Sequence, residues 1–335
     1  TTSSAFNNAT RPKGKHYDYE VDSLVYAFFA GVENFSIGDN LNFFADTRAE
    51  LIEYDYSNNM VSGNTREDGS KCGFGGCYYN RPSDRTDDFN EISARAGITT
   101  TFEEINYFAQ ISLGFRPPQI NEAYRLQKKQ NVTDLDSETL TMIEFGTKYV
   151  LDSINGSVSF YQSKKRNSIF RDSENFIVDN GKTDHEGVEL SLVIFLNPSN
   201  TVSTNITYGD HRYDFETDTS MREKIRVNNQ IDTSPKIMAN LLWNIDLNED
   251  SSLVFEIEHM DSYFTDAANL HEYEGHTLYH TRLNRNFSES LKGYLRIDNL
   301  FDKEYAERAD YNAFGGDRYF PGLPREVYIG LEYTF

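Results

Sequence analysis

An all-β chain, an antiparallel barrel that crosses a membrane on its strands, is what three features of the sequence predict. The closing stretch alternates: Val327, Ile329, Leu331, Tyr333 and Phe335 are apolar or aromatic, with Tyr328, Gly330, Glu332 and Thr334 between them. Such a strand has one greasy face and one wet face, and the greasy one would point outward into lipid. Similar segments recur along the chain. Their connections fall into two classes, short and long, that alternate in order.

In chain order, a polar lead-in runs to about residue 20, and the first strand is expected at about residues 21–34. Leu41, Phe43, Ala45, Thr47, Ala49 and Leu51 alternate with Asn42, Phe44, Asp46, Arg48 and Glu50. Ile105, Tyr107, Ala109, Ile111 and Leu113 do the same, and further strands are read around Val188–Leu196, Ile237–Leu247 and Leu291–Ile297. Strands of about ten residues cross a bilayer when tilted. Short turns are expected at Gly38-Asp39-Asn40, Phe102-Glu103-Glu104, Asp152-Ser153, Asn197-Pro198-Ser199-Asn200, Asn248-Glu249-Asp250 and Asn286-Phe287-Ser288-Glu289. Long loops are expected over roughly 53–90, 116–138, 164–183, 210–234, 260–275 and 302–324. Loops that long are unusual in a compact soluble domain, and a β-sandwich has no reason to alternate them with tight turns. The pattern counts to about thirteen strands, with the last ending on the short-turn side. An odd count whose first strand starts on the long-loop side predicts the C-terminal part of a larger barrel, because complete bacterial barrels normally have an even number of strands.

Composition sets limits on function. The 335 residues carry a formal net charge of −21 and a mean hydropathy of −0.63, with 38% apolar and 14% aromatic residues. The sequence has no apolar run long enough for a spanning helix. A chain this acidic lacks the basic face that binds phosphates, so nucleic acid is not an expected partner. The aromatic content suits interfacial girdles. Cys72 and Cys77 flank Gly73-Phe74-Gly75-Gly76, a loop that glycines make easy to close, so a disulfide is expected; two lone thiols without further ligands at a recognisable spacing do not suggest a metal site. The first residues, Thr1-Thr2-Ser3-Ser4-Ala5-Phe6-Asn7-Asn8, have neither a basic opening nor an apolar core, so a signal peptide, if there is one, is expected further upstream.

Five segments carry a resemblance. Gly114-Phe115-Arg116-Pro117-Pro118-Gln119-Ile120-Asn121-Glu122-Ala123-Tyr124 is similar to the "GFRxPxxxELY" stretch of TonB-dependent outer-membrane receptors. In the same order as in that family follow Asp136-Ser137-Glu138-Thr139 leading to Glu144-Phe145-Gly146-Thr147-Lys148-Tyr149, then Glu186-Gly187-Val188-Glu189-Leu190, Asp298-Asn299-Leu300-Phe301-Asp302-Lys303-Glu304-Tyr305, and Pro321-Gly322-Leu323-Pro324-Arg325. Leu323 stands where the family commonly has Arg, with Arg325 two positions later. The resemblance implies a barrel of about 22 strands, of which about nine would lie upstream together with a plug domain and the box that contacts TonB. Residues 1–335 are then one partial barrel domain, with 1–20 part of an extracellular loop and 21–335 its strands and loops.

The implied function is energy-coupled uptake of a scarce, bulky nutrient, most often a ferric-siderophore complex, by a bacterial outer-membrane receptor without a cofactor. Partners would be the TonB energy-transducing complex through the plug, the barrel-assembly machinery, outer-membrane lipid and lipopolysaccharide, and a small-molecule or metal-chelate ligand. Loop residues that combine an aromatic face or a cation with exposure are the candidate ligand contacts: Arg116, Tyr124, Arg125, Tyr213, Tyr311 and Phe314. Gly330, Tyr333 and Phe335 are the candidate barrel-assembly signal.

Lys164-Lys165-Arg166 and Arg222-Glu223-Lys224-Ile225-Arg226 are basic islands that would meet anionic ligands, meet lipopolysaccharide phosphates, or simply be a solvated loop face. His271, His276 and His280 run from a loop into a strand, so no helical spacing unites them and no metal site is expected. Two other functions fit a barrel. A passive porin-like channel needs no plug, and an omptin-like protease would need Asp87-Asp88 and Asp210-His211 to converge around one water.

Overall fold

The structure is a computed structural model that describes residues 2–3, 10–128, 130, 135–171, 177–217 and 224–335. Its main element is a thirteen-stranded antiparallel sheet in which each strand pairs with its neighbours in sequence. The strands are β1 (Tyr19–Ile37), β2 (Leu41–Asn58), β3 (Arg85–Phe102), β4 (Ile105–Arg116), β5 (Glu138–Val150), β6 (Ile154–Arg171), β7 (Ile177–Asn197), β8 (Asn200–Tyr213), β9 (Ile237–Asn248), β10 (Ser251–Met260), β11 (His276–Asn286), β12 (Leu291–Asp298) and β13 (Glu326–Tyr333). Strand and short-turn positions agree with the sequence pattern. No helix among the described residues is long and apolar enough to cross a membrane, and the one helical turn, α1 (Ile120–Ala123), lies in a connection.

One register runs through the sheet and sorts its faces. Ile329 of β13 stands opposite Leu295, Leu295 opposite Leu283, Leu283 opposite Leu253 and Leu253 opposite Ile245. The alternate residues form a polar inner wall that includes Asp46, Arg95, Gln110, Glu144, Glu256 and Arg296. They pair with one another across strands, as with Arg95 and Asp46 at 2.8 Å and Gln110 and Glu144 at 2.6 Å. In β1 the register shifts between Val32 and Phe35, with Asn34 at a φ of 53°. The extra residue is a bulge that keeps Phe35 and Ile37 on the same face as Phe28 and Val32. Near the chain's end, the Tyr294 ring covers Gly330 on the opposite strand, and a Cβ there would lie 2.2 Å from the ring.

The outer ends differ from expectation in one respect. The segment 164–183, expected as a loop, is mostly strand: β6 runs on to Arg171 and β7 starts at Ile177. Likewise Asp87-Asp88 and Asp210-His211 sit on strands rather than in loops. Taking the ten or so residues nearest each short turn as the membrane band, these strands rise well beyond it. There, polar residues find backbone partners across the ladder, and alternation of hydrophobicity, the signal for a lipid-facing strand, is no longer needed. The register shifts between Lys165 and Phe170 bend this raised hairpin.

The connection between β2 and β3 is folded around Arg81, which is only 2% exposed. Its Nε donates to the Val61 carbonyl (2.8 Å), Nη1 to the His16 carbonyl (3.0 Å), and Nη2 to the carbonyl and hydroxyl of Thr65 (2.8 and 2.7 Å) and the Arg66 carbonyl (3.2 Å). A planar fork of donors satisfies carbonyls that a loop cannot pair by a ladder. Beside it Cys72 and Cys77 are joined, with a Cα–Cα separation of 5.0 Å, and pack on Tyr79 and Tyr17. Burial is the main influence that pushes the Tyr17 phenol up to about 12. Arg81→Met keeps an unbranched apolar stem and removes all five hydrogen bonds. It should cost the loop on the order of 3 kcal/mol and raise the rate of limited proteolysis within residues 59–84 while leaving the barrel strands protected, as mass spectrometry of the fragments would show.

Candidate functional site

The outer end of the sheet holds a cavity of about 490 Å³, lined from the raised ends of β6, β7 and β8 and from three outer connections. β6 gives Lys165, Ser168, Phe170 and Arg171, β7 gives Thr183 and His185, and β8 ends in Tyr213. The connection 214–236 adds Ile231, Asp232 and Thr233; 261–275 adds Thr265, Asp266 and Ala267; 299–325 adds Arg308, Asp310, Tyr311, Asn312 and Arg318. Four permanent cations (Lys165, Arg171, Arg308, Arg318) meet three carboxylates (Asp232, Asp266, Asp310). The chain as a whole is at −21, so a lining whose cations match its carboxylates, even with Lys165 tied to Glu138, departs from the overall balance. Arg308 and Arg318 share Asp310, at 3.2 and 2.5 Å, which aims two guanidinium groups from one anchor. The Thr265 hydroxyl is buried against this space with no hydrogen-bond partner among the described residues. A buried hydroxyl left without a bond is costly unless something from the cavity supplies it.

Three sets of contacts hold the wall in place. The strand pair Ala306–Asn312 and Gly316–Pro321, which carries both arginines, is gripped by two tyrosines. The Tyr263 hydroxyl accepts from the Ala309 N–H (2.7 Å) and donates to its carbonyl (3.2 Å), and Tyr273 does the same at Ala306 (3.0 and 3.2 Å). Asn229 and Asn269 stitch the connection 214–236 to 261–275 through Ala267 (2.9 Å) and Gln230 (2.7 and 2.8 Å). The third centre is Glu138, 2% exposed at the start of β5. It accepts from the guanidinium of Arg116, from Lys165 Nζ (3.0 Å) and from the Ile169 N–H (2.7 Å). Burial pushes this carboxyl up, but the bonds from Arg116, Ile169 and Lys165 together outweigh it and hold Glu138 below the usual glutamate range. The bond to Glu138 is the leading influence that raises the pKa of Arg116.

The candidate residues from the sequence are dispersed. Tyr213 and Tyr311 both line the cavity. Tyr213 is 4% exposed and its hydroxyl donates to Asp232 (2.7 Å), while Tyr311 stacks on His271 with centroids 3.8 Å apart. Arg116 bridges Glu138 and Glu122 (3.0 Å). Tyr124 is fully buried, stacks on Tyr56 at 4.4 Å and donates to Asp87 (2.6 Å); burial, then that bond, push its phenol well above the ordinary value. Arg125 lies over the Tyr17 ring at 5.4 Å, and Phe314, 69% exposed, is at the hairpin tip. Lys164 and Arg166 of the first basic island pair with Asp184. In the second, Arg222 and Glu223 lie outside the described residues and Ile225 is buried. His271, His276 and His280 have separate partners in Tyr311, Tyr273 (2.9 Å) and Asp298 (3.3 Å). Sequence reading missed Arg171, Arg308 and Arg318, which occur singly rather than in a basic cluster; only folding brings them together.

A family model described as TonB dependent receptor-like, beta-barrel, matches residues 1–300. The chain belongs to the TonB-dependent receptor β-barrel family. Among solved structures it is similar to the ferric citrate transporter FecA in its unliganded form (TM-score 0.74, 18% identity, 96% of this chain and 47% of that one). It is also similar to the closed form of the ferric-catecholate import receptor Fiu from K12 E. coli (0.72, 19%, 95% and 46%) and to the copper transporter OprC (0.72, 15%, 94% and 48%). The chain thus spans about half the length of these structures. No curated protein sequence matches. Family and neighbours are receptors and transporters rather than enzymes, and barrels of this family are generally outer-membrane proteins. Asp87 is occupied by Arg85 and Tyr124, and Asp210 by Arg212 (2.8 Å), on strands five apart in the sheet.

Glu138 gives a pH signature with a definite sign. Its folded pKa is depressed, so its stabilisation is complete above the unfolded value of about 4.3 and is lost as pH falls through the folded one. Protection of the Ile169 amide from hydrogen exchange should hold from neutral pH down to about 4.3 and decline only below it. In Glu138→Gln the protection should be weaker and flat across that window.

Proposed function

We propose that this chain is the ligand-capturing, C-terminal part of a TonB-dependent outer-membrane receptor, and that its cargo is an anionic metal chelate of the ferric-siderophore kind. The observation that carries this reading is the mouth cavity, which Arg171, Arg308 and Arg318 line in a strongly acidic chain, with Lys165 beside them tied to Glu138. Guanidinium groups match carboxylates and catecholate-like oxygens with paired donors, and Phe170 and Tyr311 offer flat surfaces to a bulky ligand. The surrounding negative charge repels stray anions at long range, so selection rests on contacts made inside the cavity.

In this reading Tyr311, Tyr213 and Phe314 belong to the capture surface, whereas Arg116, Tyr124 and Arg125 shape the rim. Transport is energy-coupled: a lumen plug, held by the polar inner wall, responds to the TonB complex. Residues 1–20 would join the outer loops, and the outward face and loop cations would meet lipid and lipopolysaccharide. Gly330, Tyr333 and Phe335 would be read by the barrel-assembly machinery.

Arg308→Ala and Arg318→Ala should each weaken binding of an anionic ferric chelate about tenfold, a loss of about 1.4 kcal/mol, as measured by fluorescence titration of the full-length receptor. Uptake should stop when the proton gradient is collapsed. Continued uptake without the gradient, or wild-type binding by both variants, would overturn the proposal. Deleting Phe335 should lower the amount of heat-modifiable, folded barrel in the outer membrane and leave the affinity of the assembled fraction unchanged.

A further inference from the structure

Below the mouth cavity, β7 and β8 carry two histidines at directly opposed ladder positions, His185 and His211. Their rings are tilted by 56° with centroids 5.0 Å apart, and the two Nδ1 atoms approach to 2.9 Å. His185 lines the cavity. Its other nitrogen, Nε2, is 2.8 Å from the Thr183 hydroxyl. With Nε2 protonated and donating to Thr183, Nδ1 of His185 is left unprotonated on the side of His211, the way an outer partner fixes the tautomer of an imidazole that ligates a metal.

The backbone beneath is shaped to hold these rings. Gly187 and Gly209 are opposed on the same two strands. A Cβ at Gly209 would lie 2.5 Å from His211 Nε2 and 3.2 Å from the Tyr161 hydroxyl, and one at Gly187 would lie 2.5 Å from that hydroxyl. Only glycine at both positions lets His211 and Tyr161 lie back against the sheet.

We propose that His185 and His211 form a two-imidazole site for a divalent copper ion. Two nitrogens 2.9 Å apart, each about 2.0–2.1 Å from a shared ion, subtend about 90° at the metal. A tetrahedral ion would want them about 3.4 Å apart. Right-angle imidazole pairs suit tetragonal Cu(II), and Cu(II) also binds nitrogen donors more tightly than Ni(II) or Zn(II) do. Among the described residues no group of three His, Cys, Asp or Glu could hold a metal. The remaining positions on the ion are therefore left to water or to donors that arrive with it from the cavity. Lys165, the nearest cation named in the cavity, is neutralised by Glu138 at 3.0 Å. Binding is a ligand exchange: the ion loses two waters and gains two imidazole nitrogens, and the proton on His211 Nδ1 moves to Nε2. This inference does not rest on chelate capture, since it concerns the bare ion and residues other than the arginines.

The full-length receptor in detergent is titrated with copper sulfate and followed by electron paramagnetic resonance, with zinc sulfate as competitor. The expected result is one tetragonal Cu(II) signal with hyperfine structure from two nitrogens, which excess zinc displaces poorly. His185→Gln and His211→Gln should each lower copper affinity at least tenfold and remove one nitrogen coupling, while His280→Gln, on the inner wall elsewhere, should leave the signal unchanged. Heat-modifiability on gels shows that each variant is folded. Folded variants that keep the wild-type copper signal, or a wild-type receptor with no such signal, would overturn the site. The binding of anionic ferric chelates can be intact in either case, so the two proposals fail separately.

Discussion

Hydrocarbon cannot hydrogen-bond to a peptide group, and the rest of this structure depends on that fact. Each unpaired N–H or carbonyl in lipid costs several kcal/mol, so a chain crossing on strands must pair all of them with neighbouring strands. The ladder from β1 to β13 does this for the strands between its two edges, joining neighbours in sequence order, with short turns at the inner rim. With the backbone committed, side chains sort themselves by parity: the same register that pairs Leu295 with Ile329 also brings Arg296 opposite Tyr328 on the inner wall. The bulge at Asn34 follows from the same rule. Without it Phe35 and Ile37 would turn inward and polar neighbours would face lipid.

Above the bilayer the constraint is released, and the chain uses other means to satisfy its polar groups. Water is available, so strands continue only where the ladder has something to support. The β6–β7 hairpin rises because its outer end forms one side of the cavity. The connections lack ladders and are organised by single side chains that act as hubs: Arg81 for five acceptors, Asp266 for the N–H groups of Leu270 and His271 (2.9 and 2.8 Å), and Tyr263 and Tyr273 for the edge of the arginine hairpin. Each hub puts a multivalent group where a backbone turn leaves several partners close together, and buried polar networks of this kind fix one conformation when fully satisfied.

This division explains what the sequence made legible. Strands in lipid announce themselves through alternation, and turns through Gly, Asn, Asp and Pro, so the order of thirteen strands and six short turns could be read directly. The raised ends could not. Thr183, His211 and Tyr213 have no apolar alternation because no lipid faces them, so they read as loop. The cavity was harder still. Arg308, Arg318, Arg171 and Lys165 come from distant positions, and nothing local in the sequence distinguishes an arginine that aims into a cavity from one that is solvated. Tyr124 shows the reverse error of scale. Its segment was recognised from a motif, yet its exposure is set by Tyr56 and Asp87, 68 and 37 residues away, which no local reading includes.

On the capture reading proposed above, the arrangement of charge at the mouth bears on selectivity. In water, two charges at 4 Å interact by only about 1 kcal/mol, whereas near a protein surface the figure is about 4 kcal/mol. A guanidinium on an exposed loop would therefore discriminate weakly. Arg308 and Arg318 are themselves half exposed or more, but both are tied to the mostly buried Asp310, which lines a cavity with Phe170 and Tyr311. The anchor fixes their direction before any ligand arrives, so little rotamer entropy is lost on binding. It also leaves one net positive charge for the trio, enough to favour an anion without holding a small one tightly. A bulky anion that reaches Arg171 and the two arginines together gains from all of them, and a small anion from one. On that reading size and charge are selected jointly, and the part of the sheet is to hold six separate chain segments at one mouth.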